Sequence, residues 1–278
     1  MKFMTTVDVS PAGFEIEPEW DMLFVGSCFA ESIGALFADH GFNATVNPYG
    51  VMYNPASVLH TVRRYVEDGH APSLAVVTLG TNHVYRLRST GEIVDNCRKQ
   101  PQKLFSEETL PVTLCVSLLA ETVETLAATN ADVRIVLTVS PIRYAKYGYH
   151  GSALSKATLL LSAEEIARRY HCCRYFPAYE IMNDELRDYR FYSEDMLHPS
   201  QQAAEYIYER FIESCAGPSA RAFMSAWEPI RAALGHKPFH PQSEEYKAFI
   251  GRTLAAAERL AERYPHVRKI IGRQCDTV

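Results

Sequence analysis

Gly26-Ser27-Cys28-Phe29-Ala30 sets a hydroxyl and a thiol side by side, directly after the apolar run Leu23-Phe24-Val25. Phe29, Ile33, Leu36 and Phe37 then recur at helical spacing as far as His40. A strand, a glycine turn, a nucleophilic side chain and a helix in that order put the nucleophile at a helix N-terminus. Unpaired N–H groups and the helix dipole favour negative charge there. Such a place suits a thiolate or a tetrahedral oxyanion. The chemistry also needs a base. Asp195 and His198, three positions apart in a turn, can supply one. The carboxylate accepts from one imidazole nitrogen, fixes the tautomer and leaves the other nitrogen as general base.

Each group also has a plainer reading. Ser27 fits a helix N-cap, Cys28 a small buried apolar residue, and Asp195–His198 an Asx-type turn. Pro199 fits the first position of the following helix, which would set His198 near that helix's N-terminus. Asn82, in Gly80-Thr81-Asn82, is a residue type that donates to oxyanions, and equally an ordinary turn residue. Gly50, in Asn47-Pro48-Tyr49-Gly50, has a bare N–H that a ligand could approach closely. Arg143 follows the strand-ending Ser140-Pro141 and could hold an anionic substrate group, with a salt bridge as the plainer reading. Ser155-Lys156 could face the site or lie on a solvated helix face. The basic stretch Asn96-Cys97-Arg98-Lys99 reads as solvated. His150, His171, His236, His240 and His266 show no metal-ligand spacing. No metal and no cofactor is expected.

The elements that must position these residues can be read from periodicity. Leu23–Val25, Leu74–Leu79, Val133–Val139 and Arg174–Phe176 read as strands, and Phe42–Val46 as a second strand or an extended segment. Helices are expected from Phe29 to His40, Ala56 to Glu67, Ser106 to Thr129, Ala153 to Tyr170, Ile181 to Tyr189 and Pro199 to Cys215. Gly41 is placed to cap the first in a left-handed conformation. Val84–Leu87 reads as part of a small hairpin outside the main sheet. The β–α alternation predicts a mostly parallel sheet covered on both faces, with ligands at the carboxyl ends of its strands. Gly217-Pro218 reads as a boundary between an α/β part, residues 1–216, and a helical extension, residues 217–278. Ala220 to Leu234 and Glu244 to Tyr264 are expected as helices there.

The chain has 278 residues, 47% of them hydrophobic, enough for one large α/β core. A net charge of −5 without strong basic clustering gives no footprint for nucleic acid or an acidic membrane surface. No apolar run approaches the ~20 residues of a membrane span, and the N-terminus does not read as a signal peptide. Seven cysteines at scattered spacing suggest reduced thiols, so a cytoplasmic location is expected.

The order of these motifs resembles the SGNH hydrolase superfamily, also called GDSL-like esterases and lipases. More narrowly, Gly26–Ala30, the stretch Asn47-Pro48-Tyr49-Gly50-Val51-Met52-Tyr53-Asn54-Pro55 and Thr78-Leu79-Gly80-Thr81 resemble the GSCFA family, over roughly residues 20 to 265. The resemblance implies a three-layer α/β/α fold with a five-stranded parallel sheet. It implies Asp195 and His198 as acid and base, and Gly50 and Asn82 as oxyanion donors beside the nucleophile's own N–H. The superfamily pattern is Gly-Asp-Ser, with the nucleophile two residues after the glycine. That register points to Cys28, with Ser27 in place of the aspartate and as the alternative nucleophile. His83 is a second departure, since the superfamily often carries aspartate after the asparagine. The implied activity is acyl transfer: hydrolysis of an ester or thioester of a small molecule or glycan, or acylation of a glycan or small alcohol. A binding module that keeps the fold without turnover is the rival reading.

Overall fold

A computed structural model describes residues 4–95, 97, 100–240 and 242–275, with side chains through Gly272. Strands β1 (Met22–Gly26), β2 (Ala44–Val46), β3 (Leu74–Leu79), β7 (Arg134–Val139) and β8 (Cys173–Tyr175) form a five-stranded parallel sheet in the order β2-β1-β3-β7-β8. Helices α1 (Cys28–Asp39), α2 (Pro55–Glu67), α3 (Val112–Thr129), α4 (Gly148–Arg169), the short α5 (Ala178–Glu180) and α6 (Gln201–Cys215) connect or flank these strands. The result is the three-layer α/β/α architecture expected from the sequence.

Alternation along the strands divides the core, because successive side chains point to opposite faces. Met22, Phe24, Leu74, Val76 and Val136 pack with α1 and α6 on one face. Leu23, Val25, Ala75, Val77, Ile135 and Leu137 pack with α2, α3 and α4 on the other. Strands buried on both faces read as continuous apolar runs, as β1, β3 and β7 do. By length and composition α3 is apolar enough to cross a membrane. Its Leu119, Val123 and Leu126 are buried in the core beneath the sheet.

Strands β4 (His83–Leu87), β5 (Ile93–Val94) and β6 (Phe105–Thr109) form a separate antiparallel sheet in the order β5-β4-β6. The helix expected from Ser106 therefore begins only at Val112. Pro111 stands at its N-cap, and the backbone of residues 105–109 is spent on β4 instead. The stretch expected as a helix over Ile181–Tyr189 is a π turn at Ile181–Glu185, followed by a 3₁₀ turn at Tyr189–Phe191. Asn96, Arg98 and Lys99 of the basic stretch lie outside the described residues.

Beyond Gly217, helices α7 (Pro218–Leu234), α8 (Glu244–Arg263) and α9 (Val267–Cys275) follow, the last not foreseen from periodicity. Phe223, Trp227, Ala261, Tyr264 and Val267 join the same apolar cluster as Phe37 and Phe42. The Trp227 indole N–H donates to the Asp39 carbonyl at 2.8 Å, and Arg231 pairs with the Asp39 carboxylate at 2.7 Å. Gly41 has the left-handed conformation expected of it, with φ of 84°.

Candidate active site

Strand order reverses at β1: its connection to β2 leaves on one side, and β3 lies on the other. The carboxyl ends of β1 and β3 therefore frame the crevice where open α/β sheets bind ligands. Gly26 closes β1 with φ of 137°, and a Cβ there would stand 2.1 Å from the Thr78 carbonyl oxygen. Only glycine fits. Its N–H donates to Asn47 Oδ1 at 2.9 Å, and its carbonyl accepts from Met52 N–H at 2.8 Å. The loop after β2 is thereby fastened to the end of β1.

Ser27 and Cys28 separate at this point. Ser27 is fully buried and caps α1, its hydroxyl accepting from Phe29 N–H at 3.2 Å. The same hydroxyl is 3.1 Å from Thr78 Oγ1, and its N–H is shared between Thr78 O and Oγ1. The Ser27 hydroxyl is thus enclosed among protein groups, with no side open to solvent. Cys28, the first residue of α1, is a half-buried free thiol. Its Sγ is 3.6 Å from the hydroxyl of Tyr53. Cys115 and Cys215 are deep in the core, where burial pushes the first up to about 11 and the second up to about 12. Among the described residues the Cys28 N–H has no hydrogen-bond partner, as expected of a donor in the first turn of a helix.

Asp195 and His198 meet as the turn spacing predicts. Imidazole Nδ1 lies 2.6 Å from Asp195 Oδ2, while Oδ1 accepts from the N–H groups of Leu197 and His198 at 2.9 and 3.0 Å. The His198 N–H, then that of Leu197, then the imidazole hold the Asp195 carboxyl down at about 2. Both side chains are more than two-fifths exposed. Helix α6 starts at Gln201 with Ser200 as its cap, so Pro199 is not its first residue and His198 stands upstream of the first turn. Pro199 is instead bridged back to Tyr192. A cavity of about 720 Å³ separates Ser32, Ala35 and Leu36 of α1 from Pro199, Ser200 and Gln201. The cavity's lining is drawn from the segments that follow Cys28 and His198 and includes neither of the two residues; among the described residues the thiol is hydrogen-bonded to Tyr53 and the imidazole to Asp195, not to each other.

Arg143 braces this loop from β7. Its N–H donates to Leu197 O at 3.0 Å and its guanidinium to Met196 O at 3.2 Å. No carboxylate pairs with it among the described residues; its guanidinium lies 4.3 Å from the ring centre of Tyr149 and also faces Tyr189 and Tyr192. The salt bridge of the plainer reading is replaced by aromatic contacts.

The two expected oxyanion donors are already engaged. Gly50 N–H donates to Asn47 O at 2.9 Å and closes its own turn. The Asn82 amide, nearly buried, donates to Leu110 O at 2.8 Å, leaving one amide proton. His83 stacks on Tyr147 at 3.5 Å between ring centres, and burial lowers its pKa.

Ser155 and Lys156 do not form a solvated face. Ser155 Oγ accepts from Asn82 N–H at 3.0 Å. Lys156 is fully buried, its ammonium donating to Gly80 O and Ser140 O at 2.7 Å each, and burial lowers its pKa to about 7. Neither the fastening of β3 to β7 by Lys156 nor the approach of Tyr53 was legible in the sequence. A lysine in the first turn of the helix expected from Ala153 looks like surface, and Tyr53 looks like loop filler. The signal available for Tyr53 was its place in the Asn47–Pro55 stretch. Among the described residues no three His, Cys, Asp or Glu side chains converge as a metal site would require.

Comparison with known proteins gives a family. The model described as "GSCFA family" matches residues 21–73 and 70–211, and that described as "GSCFA domain protein, C-terminal domain" matches residues 227–269. No curated protein matches the chain. Solved structures resemble it at low identity. A member of the lipolytic protein G-D-S-L family from Veillonella parvula is 10% identical, with 69% of this chain and 96% of that one covered and a TM-score of 0.47. An alpha/beta hydrolase enzyme from the metagenome of Lake Arreo is 12% identical, with 72% and 96% covered and a TM-score of 0.46. An acetyl-xylooligosaccharide esterase from Geobacillus stearmophilus is 14% identical, with 72% and 96% covered and a TM-score of 0.44.

Proposed function

This chain belongs to the GSCFA family, and from its site we propose that it is an acyl-transfer enzyme of the esterase or thioesterase type, with Cys28 as nucleophile, His198 as general base and Asp195 as the group that orients it. The observation that carries the reading is the Asp195–His198 pair. A carboxylate fixed by two backbone N–H groups holds Nδ1 at 2.6 Å, which leaves Nε2 free to take a proton.

His198 Nε2 accepts the Cys28 thiol proton as the sulfur attacks the acyl carbonyl carbon. The carbonyl π pair moves onto oxygen, where the Cys28 N–H can meet it at the start of α1. Collapse of the tetrahedral intermediate breaks the bond to the leaving alkoxide or thiolate, which receives the proton held on His198. The acyl group is then a thioester on Cys28. His198 next deprotonates water, whose oxygen attacks the thioester, and the proton returns to sulfur as the acid departs. A thioester is attacked by alcohols more readily than an oxygen ester is. The thiol nucleophile therefore favours, as a second reading, transfer of the acyl group to an alcohol or glycan hydroxyl in place of water.

The test compares Cys28→Ala, Ser27→Ala and His198→Ala on a panel of short-chain acyl esters. Loss of turnover in the first and third, with Ser27→Ala active, is expected. Intact turnover in His198→Ala overturns the general-base assignment.

A further inference from the structure

We infer that the hydroxyl of Tyr53 is a catalytic donor in this site: it hydrogen-bonds the Cys28 sulfur as the proton leaves and then holds the oxyanion, the part the resemblance assigns to Gly50 and Asn82. The inference rests on Cys28 being the nucleophile.

Geometry is the first ground. Tyr53 Oη is 3.6 Å from Cys28 Sγ, within hydrogen-bond reach of sulfur. The residue is not loosely held. Its carbonyl accepts from both Gly80 and Thr81 N–H, at 2.9 and 2.8 Å. The preceding Met52 N–H is bound to Gly26 O, and the following Asn54 caps α2 through Ser57 N–H. The tyrosine is thus fastened at once to the ends of β1, β3 and α2. Its ring meets that of Tyr144 edge-on, with centres 6.1 Å apart and planes at 88°. A donor fixed by the scaffold costs little reorganisation during the reaction.

The second ground is the state of the alternatives. Gly50 must break its turn bond to serve, and Asn82 has already given one amide proton to Leu110. Tyr53 has no such commitment: among the described residues its hydroxyl touches only the thiol. Burial, and then the neighbouring Cys28, raise its pKa to about 12, so it remains a protonated donor.

The proton balance follows. The Cys28 proton goes to His198, and Tyr53 keeps its own. Its O–H donates first to the sulfur that gains charge. When the sulfur bonds to the acyl carbon, the charge passes to the carbonyl oxygen, two bonds away. Rotation of the O–H about the Cζ–O bond lets the same donor follow it.

Tyr53→Phe keeps the ring, the Tyr144 contact and all backbone bonds. p-Nitrophenyl acetate serves as probe, with nitrophenolate release and intact mass reporting acetylation of Cys28. Loss of one oxyanion donor should lower kcat for acetylation by roughly 10²- to 10³-fold, with KM little changed. Tyr144→Phe, whose hydroxyl has no partner, should acetylate at the wild-type rate. A wild-type rate in Tyr53→Phe, where Cys28→Ala is inert, overturns the role of Tyr53 and leaves the nucleophile standing. Undiminished turnover in Cys28→Ala overturns both. A rise in KM with kcat unchanged makes Tyr53 a substrate contact and also overturns the inference.

Discussion

Ser27 is bound to Thr78 three times over: its N–H reaches Thr78 O at 3.1 Å and Oγ1 at 3.0 Å, and the two hydroxyl oxygens are 3.1 Å apart. Thr78 is on β3, so these bonds lock the start of α1 to the neighbouring strand. Position 27 is the place where the superfamily pattern carries aspartate, and here it does structural work. Ser27→Ala removes an N-cap and a buried hydroxyl pair. It should cost about 1 kcal/mol of stability, within the range for caps, and leave acetylation of Cys28 near the wild-type rate. A urea melt and intact-mass acetylation on the same sample check both. Loss of the adduct with stability intact would return Ser27 to the chemistry.

Asp195 offers a separate test. Its carboxyl is held down at about 2 by the N–H groups of His198 and Leu197 and by the imidazole. The folded value lies below the ordinary aspartate value of 3.8, so Asp195 is ionised well below neutrality. Whatever stability the pair supplies is present above that ordinary value and is lost as pH falls toward 2. Asp195→Asn keeps an oxygen for the backbone N–H groups but turns an NH₂ toward Nδ1, favouring the wrong tautomer. A fall in kcat of about 10²- to 10⁴-fold is expected, measured as kcat on the same acetyl ester for both proteins at neutral pH. Wild-type kcat in this variant would end the orienting role.

How far the sequence reached depends on what each signal encodes. β1, β3 and β7 are buried on both faces, so composition alone marks them, and their β–α order implies the parallel sheet. Asp195 and His198 were legible because both partners lie within one turn. The acidic face of β6, Phe105 to Thr109, is half-exposed and carries helix-forming glutamates; its strand state comes from pairing with His83–Leu87. That is a contact between distant segments, which periodicity does not register. Tyr53 and Cys28 are 25 residues apart and meet only because Met52, Tyr53 and Asn54 are tied to three different elements. The burial of Lys156 is hidden for the same reason: its partners are carbonyls on two strand ends.

Lys156 makes stability depend on pH in an uncommon direction. Burial lowers its pKa from 10.5 to about 7. Between those values the unfolded chain holds a proton that the folded chain lacks, so stability rises with pH through this window. The unfavourable contribution is fullest below about 7 and gone above the unfolded value. Lys156→Met has no such term, though it strands the Gly80 and Ser140 carbonyls. The stability of the wild type relative to Lys156→Met should therefore grow between pH 7 and 10, with a slope of up to about 1.4 kcal/mol per pH unit. Urea midpoints of both proteins at matched pH values measure it. Parallel pH profiles would mean that the amine titrates alike in both states.

Trp227 decides whether the C-terminal helices are an ornament or part of the core. It is 1% exposed, and its ring lies against Gly41, where a Cβ would come within 2.9 Å of the indole. Its N–H is given to Asp39 O at the end of α1, the helix that begins with Cys28. His266, after α8, adds a bond to Gly41 O at 3.0 Å. Helices α7 and α8 therefore hold the far end of the helix whose first turn carries the thiol. Trp227→Ala leaves a large cavity against Phe223 and Gly41 and an unmatched carbonyl on Asp39. A loss of about 3–5 kcal/mol is expected. Truncation at Gly217 removes Phe223, Trp227, Tyr264 and Val267 together and exposes Phe42 from the shared cluster. That chain should lose its cooperative unfolding transition and the acetylation of Cys28 with it. A truncated chain that melted at the full-length midpoint and acetylated at the full-length rate would make the three helices dispensable to both fold and site.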